Sequence, residues 1–166
     1  MKLTTKRLIL REFNATDVHA MHAWQVDPRY LEHYPVDSTS PQDTQDLIDR
    51  FLTWQLEQPR WRWQLAIELW ATGELIGSAG VRRATVDAPT ADIGYELNPT
   101  HWGQGYATEA MRQLIFFAFD DLCLAELTAR VVDSNAASLR VLQRLGFMHA
   151  RRIWPQRAEC RLLRDS

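Results

Sequence analysis

The sequence places a glycine-rich turn, Trp102 to Ala110, directly between a strand pattern and a long helix pattern. Before the turn, Ile93, Tyr95 and Leu97 alternate with polar residues, which predicts a strand. After the turn, apolar residues recur at helical spacing as far as Leu122, which predicts an amphipathic helix. The predicted order is therefore strand, short loop, glycine turn, helix.

This order favours an anion at the start of the helix. The first amides of a helix have no partner within it, and the helix dipole makes that end positive. Glycine lets another group approach the backbone closely, and phosphate is the commonest occupant of such a site. A tight turn into a core helix is the simpler alternative. Two familiar phosphate loops fit poorly, because no Gly-Lys-Ser/Thr run exists and Thr108 stands where a dinucleotide fingerprint needs Gly or Ala.

Length and charge exclude several classes of protein. The 166 residues suit one domain spanning 1–166, and a net charge of −2 gives no general attraction to nucleic acid or to anionic membranes. We find no membrane-spanning run and no signal peptide, and the two cysteines suggest no disulfide framework, so a cytoplasmic location is expected. His19 and His22 lie one turn apart, but no third ligand is near them, and we expect no metal site.

The remaining patterns predict a mixed α/β chain. The expected order is strand, two helices, three strands, helix, strand, helix and two strands. The expected elements are a strand at Leu8–Leu10, a helix from Asn14 or Thr16, an irregular aromatic loop at Asp27–Thr39, a helix capped by Ser40, a hairpin at Arg62–Val81, strands at Ile93–Leu97 and Leu127–Val131, a helix at Ala136–Leu145, and strands at Phe147–Ile153 and Glu159–Leu163.

The glycine turn resembles the pyrophosphate loop of the GNAT superfamily of acyl-CoA-dependent N-acetyltransferases. Gly105 and Ala107 occupy the two small positions of that loop. Trp102 replaces the usual Gln or Arg, as in the Rim-type ribosomal-protein N-terminal acetyltransferases. Asn135 to Phe147, Thr4 to Phe13 and Gly73 to Gly77 resemble further segments of the family. The resemblance implies a single GNAT domain with a mostly antiparallel twisted sheet, about four flanking helices and strands that splay at the acetyl-CoA site.

The same resemblance implies how acetyl-CoA is held. The pyrophosphate is expected at the glycine turn, and the pantetheine arm is expected to pair with the preceding strand, where an amide near Leu97 meets the thioester oxygen. No metal is implied. The implied cofactor residues are Tyr95, Leu97, Asn98, Gln104, Gly105, Tyr106, Ala107, Thr108 and Asn135.

Three residues are candidates for the chemistry of acetyl transfer. Glu96 alternates away from Tyr95 beside the expected thioester, where it is either a general base or a solvated strand carboxylate. Many relatives have a tyrosine acid at the position of Leu142, so Ser138 is the suggested substitute, with a plain surface serine as the alternative. Asn135 bonds the pantetheine or the sulfur, caps its helix, or does both.

The predicted reaction is direct transfer from acetyl-CoA to a primary amine in a ternary complex. An α-amine, with a pKa of about 8, suits a site with one base better than a lysine amine at about 10.4. A protein N-terminus is therefore one possible acceptor; a small amine such as an amino acid, polyamine or aminoglycoside, or acyl-CoA sensing without catalysis, are alternatives. The chain is expected to be a monomer or a homodimer. Candidates to line the acceptor site are Tyr30, Glu32, His33, Tyr34 and Trp154.

Overall fold

One twisted sheet runs through the molecule in a computed structural model that describes residues 1–33, 39–153 and 157–164. Within these residues, eight strands pair in the order β1-β2-β3-β4-β5-β6-β8-β7, and only the β5–β6 pairing is parallel. The strands are β1 Lys2–Thr4, β2 Leu8–Glu12, β3 Arg62–Leu69, β4 Leu75–Arg83, β5 Thr90–Leu97, β6 Glu126–Val132, β7 Met148–Ile153 and β8 Arg157–Leu163.

The described helices flank this sheet. The α-helices are α1 Val18–Gln25, α2 Pro28–Leu31, α3 Pro41–Gln55, α4 Tyr106–Phe116 and α5 Ala136–Arg144. The predicted helix that reaches Leu122 is α-helical only as far as Phe116 and continues as a π-helix over Phe117–Asp121. Ser40 caps α3 through a reciprocal bond pair with Asp43, and Pro41 occupies the first helical position. Asn135 caps α5 by accepting the Ser138 amide. The predicted mixed α/β fold is confirmed, including the helix starts at Ser40 and Asn135.

Two details differ from the sequence prediction. Pro28–Leu31 forms one helical turn within the segment that was predicted to be an irregular loop. The reason is local, because Asp27 accepts the Arg29 amide and Pro28 pre-sets the first helical dihedral. The short strand β1 was not predicted. It pairs with β2 from Lys2 opposite Arg11 to Thr4 opposite Ile9.

Two apolar clusters lie on opposite faces of the sheet. The larger packs α4 against the sheet through Met111 and Leu114, both fully buried. The smaller contains Trp24 from α1 and Ile48 from α3. Alternation along β3 sends Leu65 to one cluster and Ala66 to the other, so the two clusters share the same strands. The central strands are therefore covered on both sides.

The parallel pair β5–β6 separates part-way along its length. The two strands are paired only where Thr90 to Asp92 lie opposite Glu126 to Thr128. Both strands continue further, β5 to Leu97 and β6 to Val132. This splay was predicted from the family resemblance. Among the described residues, no strand pairs with this edge of β5 over its last residues.

The described residues contain no helix that is long and apolar enough to cross a membrane. The same part of the chain contains no group of three or more His, Cys, Asp or Glu side chains that could hold a metal ion. His22 is hydrogen-bonded through Nδ1 to the Thr44 hydroxyl at 3.0 Å, whereas His19 is exposed on α1. His22 therefore has a structural partner within the helical layer.

Candidate active site

A cavity of about 340 Å³ opens where β5 and β6 separate. Its walls come from the end of β5, the glycine turn, the start of α4 and the first turns of α5. Most of the residues predicted for the site meet there. Those that line the cavity are Tyr30, His33, Tyr95, Glu96, Leu97, Gly105, Tyr106, Ala107, Thr108, Asn135 and Ser138.

The glycine turn places the first amides of α4 at one end of the cavity. Gly103 and Gly105 have φ values of +76° and +81°, in the left-handed region that favours glycine. The first helical hydrogen bond of α4 runs from the Glu109 amide to the Gly105 carbonyl at 3.1 Å. The amides of Tyr106, Ala107 and Thr108 precede that bond, at the positive end of the helix. This geometry suits a phosphate group.

The turn is tied to the start of the chain by Arg7. Its guanidinium donates to the Gln104 carbonyl at 3.0 Å and to Glu109 Oε2 at 2.6 Å, and it lies 4.4 Å from the centre of the Tyr106 ring. Thr5 donates to the other Glu109 oxygen at 2.6 Å. Burial opposes ionisation of Glu109, but the hydrogen bonds from Thr5 and Arg7 outweigh it and hold the pKa of that carboxyl below its usual value.

The splayed edge of β5 presents backbone groups to the cavity. The Asn98 amide points to β4, because it donates to the Ile76 carbonyl at 2.8 Å. Successive amides in a strand point to opposite edges. The amides of Tyr95 and Leu97 therefore face the side from which β6 has diverged. Main-chain pairing with an extended ligand is possible at this edge.

Trp102, the departure from the usual family loop, connects the loop to β5. Its indole N–H donates to the Leu97 carbonyl at 2.9 Å. Its ring also packs against His33, with ring centroids 5.7 Å apart. The single Trp102 side chain therefore links this wall of the cavity to β5 by a hydrogen bond and to His33 by a ring contact.

Glu96 projects from β5 into the cavity and is held at both carboxylate oxygens. The Tyr30 hydroxyl donates a hydrogen bond to Oε2, and the Ser78 hydroxyl donates to Oε1 at 2.9 Å. Burial raises the pKa of Glu96, while the bonds from Tyr30 and Ser78 and the charge of Arg82 oppose that rise. Glu96 is thus a half-buried carboxylate with a raised proton affinity, not a solvated one.

Two hydroxyl groups face each other across the splay. Tyr95 from β5 and Ser138 from α5 are hydrogen-bonded, with their oxygens 2.9 Å apart. Burial raises the pKa of the Tyr95 phenol, and its bond to Ser138 opposes the rise. Leu142 is 4% exposed and packs in the core. The phenol nearest to Ser138 among the described cavity residues therefore comes from β5, which the sequence reasoning missed.

Basic side chains also surround the glycine turn. Arg140 and Arg144, one helical turn apart on α5, line the main cavity. A shallow neighbouring depression beside Gly105 is lined by Lys6, Arg7 and Arg112, with Arg144 shared between the two. In the sequence, the i, i+4 spacing of Arg140 and Arg144 already indicated that both side chains lie on one face of the helix. The cluster adds positive charge beside the helix start.

The remaining predicted residues lie elsewhere. Asn98 caps a short 3-10 helix at Pro99–His101, and its side chain accepts the Thr100 amide at 3.1 Å. Gln104 and Glu32 are exposed and do not line the cavity. Tyr34 and Trp154 fall outside the described residues.

Comparison with known proteins identifies the class that this fold and site define. Residues 7–148 match the family model described as an acetyltransferase (GNAT) domain. The chain therefore belongs to the GNAT family, and it is an acetyl-CoA-dependent N-acetyltransferase. The predicted family is confirmed.

Individual relatives support the same assignment. The chain is 33% identical to the uncharacterized N-acetyltransferase YoaA of Bacillus subtilis over 87% of this chain and 81% of the relative. An acetyltransferase structure from Agrobacterium tumefaciens is 28% identical and superposes with a TM-score of 0.82 over 99% of this chain and 95% of that one. RimJ of Mycobacterium smegmatis, in complex with CoA-disulfide, shares the fold at 21% identity, with a TM-score of 0.79 over 94% of this chain and 81% of that one.

Proposed function

We propose that the chain moves an acetyl group directly from acetyl-CoA to a primary amine in a ternary complex, with Glu96 as the general base. The observation that carries the proposal is the position of Glu96, in one cavity with the glycine turn and with both oxygens hydrogen-bonded. A base must lie close to the proton that it removes, and a raised carboxyl pKa brings it nearer to that of an amine. Proximity and proton affinity thus support the same role.

Acetyl-CoA is expected to lie along the splay. The amides at the start of α4 would bind its pyrophosphate, with Arg140 and Arg144 adding charge. The Tyr95 and Leu97 amides would pair with the pantetheine arm, and the Leu97 amide would donate to the thioester oxygen as negative charge develops there. These donors suit acetyl-CoA because the β5 amides match its pantetheine arm, and the helix amides with the two arginines match its pyrophosphate.

The transfer needs one group to remove a proton from the amine and another to give a proton to the leaving thiolate. Glu96 accepts a proton from the attacking amine, whose nitrogen forms a bond to the thioester carbonyl carbon. The C–S bond then breaks, and the leaving thiolate takes a proton from the Ser138 hydroxyl. Ser138 regains a proton from the Tyr95 hydroxyl, which in turn takes one from solvent. Asn135, which caps α5, positions Ser138 by accepting its amide at 3.0 Å. Glu96 finally releases its proton to solvent.

The acceptor that we favour is a protein N-terminal α-amine. Deprotonation of an α-amine at neutral pH costs roughly 3.4 kcal/mol less than that of a lysine amine, since their pKa values differ by about 2.5. Tyr30 and His33, which line the same cavity as Glu96, would contact the acceptor. A cytoplasmic location remains a prediction, as does the choice between monomer and homodimer.

The acceptor is tested with matched peptides. One peptide has a free N-terminus and no lysine. The second peptide differs from it only in having a blocked N-terminus and one added lysine. With acetyl-CoA present, we expect release of free CoA thiol with the first peptide and much less with the second. Release only with amino acids, polyamines or aminoglycosides would instead identify a small-molecule acetyltransferase. Tight acetyl-CoA binding with no release across the whole panel would favour a sensor.

A further inference from the structure

A chain of three hydrogen bonds runs through the sheet and ends on Glu96. Arg82 Nη1 donates to Gln64 Oε1 at 2.6 Å. Gln64 Nε2 donates to the Ser78 hydroxyl oxygen at 2.9 Å, and that hydroxyl donates to Glu96 Oε1 at 2.9 Å. The four residues come from β3, β4 and β5, so the chain crosses three neighbouring strands on one face of the sheet.

The chemistry of the groups fixes the direction of every bond. A guanidinium has only N–H donors, so the Gln64 amide must turn its oxygen toward Arg82 and its NH₂ toward Ser78. The Ser78 oxygen then accepts from Gln64, which leaves the hydroxyl proton for the Glu96 carboxylate. All three donors therefore point toward Glu96, and the cation is at the opposite end from the carboxylate.

The sheet is built to contain this chain. Ser78 is 1% exposed and Gln64 is 6% exposed, and a buried polar side chain is costly unless its hydrogen bonds are made. Gly80, opposite Gln64, leaves the necessary space, because a Cβ there would lie 2.1 Å from Gln64 Oε1 and 2.8 Å from Arg82 Nη1. Asp92 accepts the other end of Arg82 at 2.8 Å. The arrangement is fixed at both ends.

We propose that Gln64 and Ser78 are positioning residues. Together they connect Arg82 to Glu96 by hydrogen bonds that all donate toward the carboxylate, and so keep it ionised and correctly oriented for the acceptor amine. This inference rests on the proposed function, in which Glu96 is the base. Neither Gln64 nor Ser78 lines the cavity, so both act through Glu96 and not on the acceptor.

Other charged and titratable groups near Glu96 also influence its protonation, beside the chain of hydrogen bonds. Tyr30 of α2 donates to the second carboxylate oxygen, and the Arg82 charge acts from β4. Asp92 lies on the same face of β5, and His33 and His101 line the same cavity. Tyr30 donates to Oε2 and Ser78 donates to Oε1, so loss of the Ser78 hydrogen bond would remove the described donor at Oε1. The protonated form of Glu96 would then be favoured.

The test is a carboxyl NMR titration that needs no acceptor. The full chain is labelled with ¹³C at glutamate side-chain carboxyls, and the Glu96 signal is identified as the one absent from Glu96→Gln. Ser78→Ala and Gln64→Met should each raise the Glu96 pKa by about one unit. Gln64→Glu should raise it further, because a carboxylate at 64 would take the Ser78 proton and add a like charge.

A matched pair of arginine variants separates the chain from a general charge effect. Arg82→Met removes the first donor, whereas Arg83→Met removes the same charge one residue along, where the guanidinium donates to the Val86 and Leu122 carbonyls. We expect the Glu96 pKa to rise in the first variant and to stay near the wild-type value in the second. The Arg82 side chain is 29% exposed, so its loss also provides the test if the buried variants do not fold.

Two outcomes overturn the inference, and both differ from failure of the proposed function. An unchanged Glu96 pKa in folded Ser78→Ala, Gln64→Met or Arg82→Met variants contradicts the chain. If the Glu96 pKa rises equally in Arg82→Met and Arg83→Met, the effect comes from the lost positive charge and not from the hydrogen bonds. If the Glu96 pKa rises as expected but Glu96→Gln retains full turnover, the hydrogen bonds act on Glu96 as proposed and Glu96 is not the base.

Discussion

At the scale of single residues, the decisive feature is the environment of Glu96. An exposed strand carboxylate would be fully ionised at neutral pH and a poor match for an amine proton. Glu96 is instead half-buried, with Tyr30 and Ser78 on its two oxygens, so its pKa is raised while the ionised form retains two donors. The same side chain can then accept a proton and release it later.

The first prediction concerns the two hydroxyls of the splay. Ser138→Ala should lower turnover by about ten-fold to a hundred-fold, because the leaving thiolate loses its nearest donor. Tyr95→Phe should give a smaller loss, since Ser138 would remain. Steady-state rates of CoA release, measured beside acetyl-CoA affinity, check both variants. Ser134→Ala, an exposed serine just before the Asn135 cap, is the control, and turnover at wild-type level in Ser138→Ala would contradict the assigned role.

At the scale of elements, the conformation of the glycine turn is stabilised by contacts with residues from the start of the chain. β1 and β2 are joined by a loop that carries Thr5 and Arg7, and both residues bind Glu109 at the start of α4. The guanidinium of Arg7 also binds the Gln104 carbonyl inside the turn. The beginning of the chain therefore fixes the conformation of the loop that would bind the pyrophosphate.

The second prediction tests the turn with two matched glycine variants. Gly105→Glu should abolish acetyl-CoA binding, because it adds bulk and negative charge where the pyrophosphate would lie. Gly73→Glu is the control, since Gly73 also has a positive φ, +73°, but lies in the turn between β3 and β4. Calorimetry with both folded variants checks the prediction. Normal acetyl-CoA affinity in Gly105→Glu would contradict the loop assignment.

The third prediction is a pH-dependent stability. The pKa of Glu109 is lower in the folded protein, so its stabilising contribution is complete above its ordinary pKa and is lost as pH falls through the folded value. Glu109→Gln should therefore lower the free energy of unfolding by about 1–2 kcal/mol at pH 7, and by less at about pH 3. Urea unfolding at both pH values measures the difference.

The control for this prediction is Glu32→Gln, which removes an exposed carboxylate at the end of α2. It should change the free energy of unfolding little at either pH. A Glu109→Gln penalty that is as large at pH 3 as at pH 7 would show that packing, and not the ionised carboxylate, accounts for the loss.

Elements were predicted where local chemistry specifies them. The Ser40-Pro41 start of α3 and the alternation of β5 are readable from neighbouring residues, and both were correct. The helical turn at Pro28 was missed because Asp-Pro serves turns and helix starts equally well. Contacts between distant residues were not predictable. Tyr30 reaches Glu96 across 66 positions, and no local pattern encodes that contact.

The same reason explains which parts of the candidate site were missed. Glu96 could be predicted as a candidate because its alternation beside the glycine turn is a local pattern, and its side chain lines the cavity. Gln64 and Ser78 look like ordinary polar residues of two strands, and their roles depend on strand register and on the space above Gly80. Arg7 likewise acquires its partner 102 positions away. Sequence reasoning thus predicted most of the described residues that line the cavity, but not the residues that hold them in place.

At the scale of the whole molecule, one sheet carries two apolar clusters and the cavity at its splay. The clusters share β3 and lie on opposite faces, so neither half of the described chain has a separate core. We therefore expect residues 1–166 to behave as one domain. The cavity is open to ligand without opening either cluster, because it lies at the unpaired edge of β5.

The fourth prediction follows from this architecture. Thermal unfolding should be a single cooperative transition, and acetyl-CoA should stabilise it by about 2.7 kcal/mol at a concentration 100 times its Kd. Calorimetric scans with and without acetyl-CoA check this, with Gly105→Glu as the variant that should not respond. Two separable transitions would contradict the single domain.

The measurement that tests the central claim most directly is the pH dependence of acetyl transfer in the wild type and in Glu96→Gln. CoA release is followed under single-turnover conditions, with the amine that responds best in the acceptor panel. We predict that the wild-type rate rises with pH through the raised Glu96 pKa, and that the variant is slower by about 10²–10⁴-fold without that limb, at nearly unchanged acetyl-CoA affinity. Superimposable profiles at equal rates would contradict the role of Glu96 as the base.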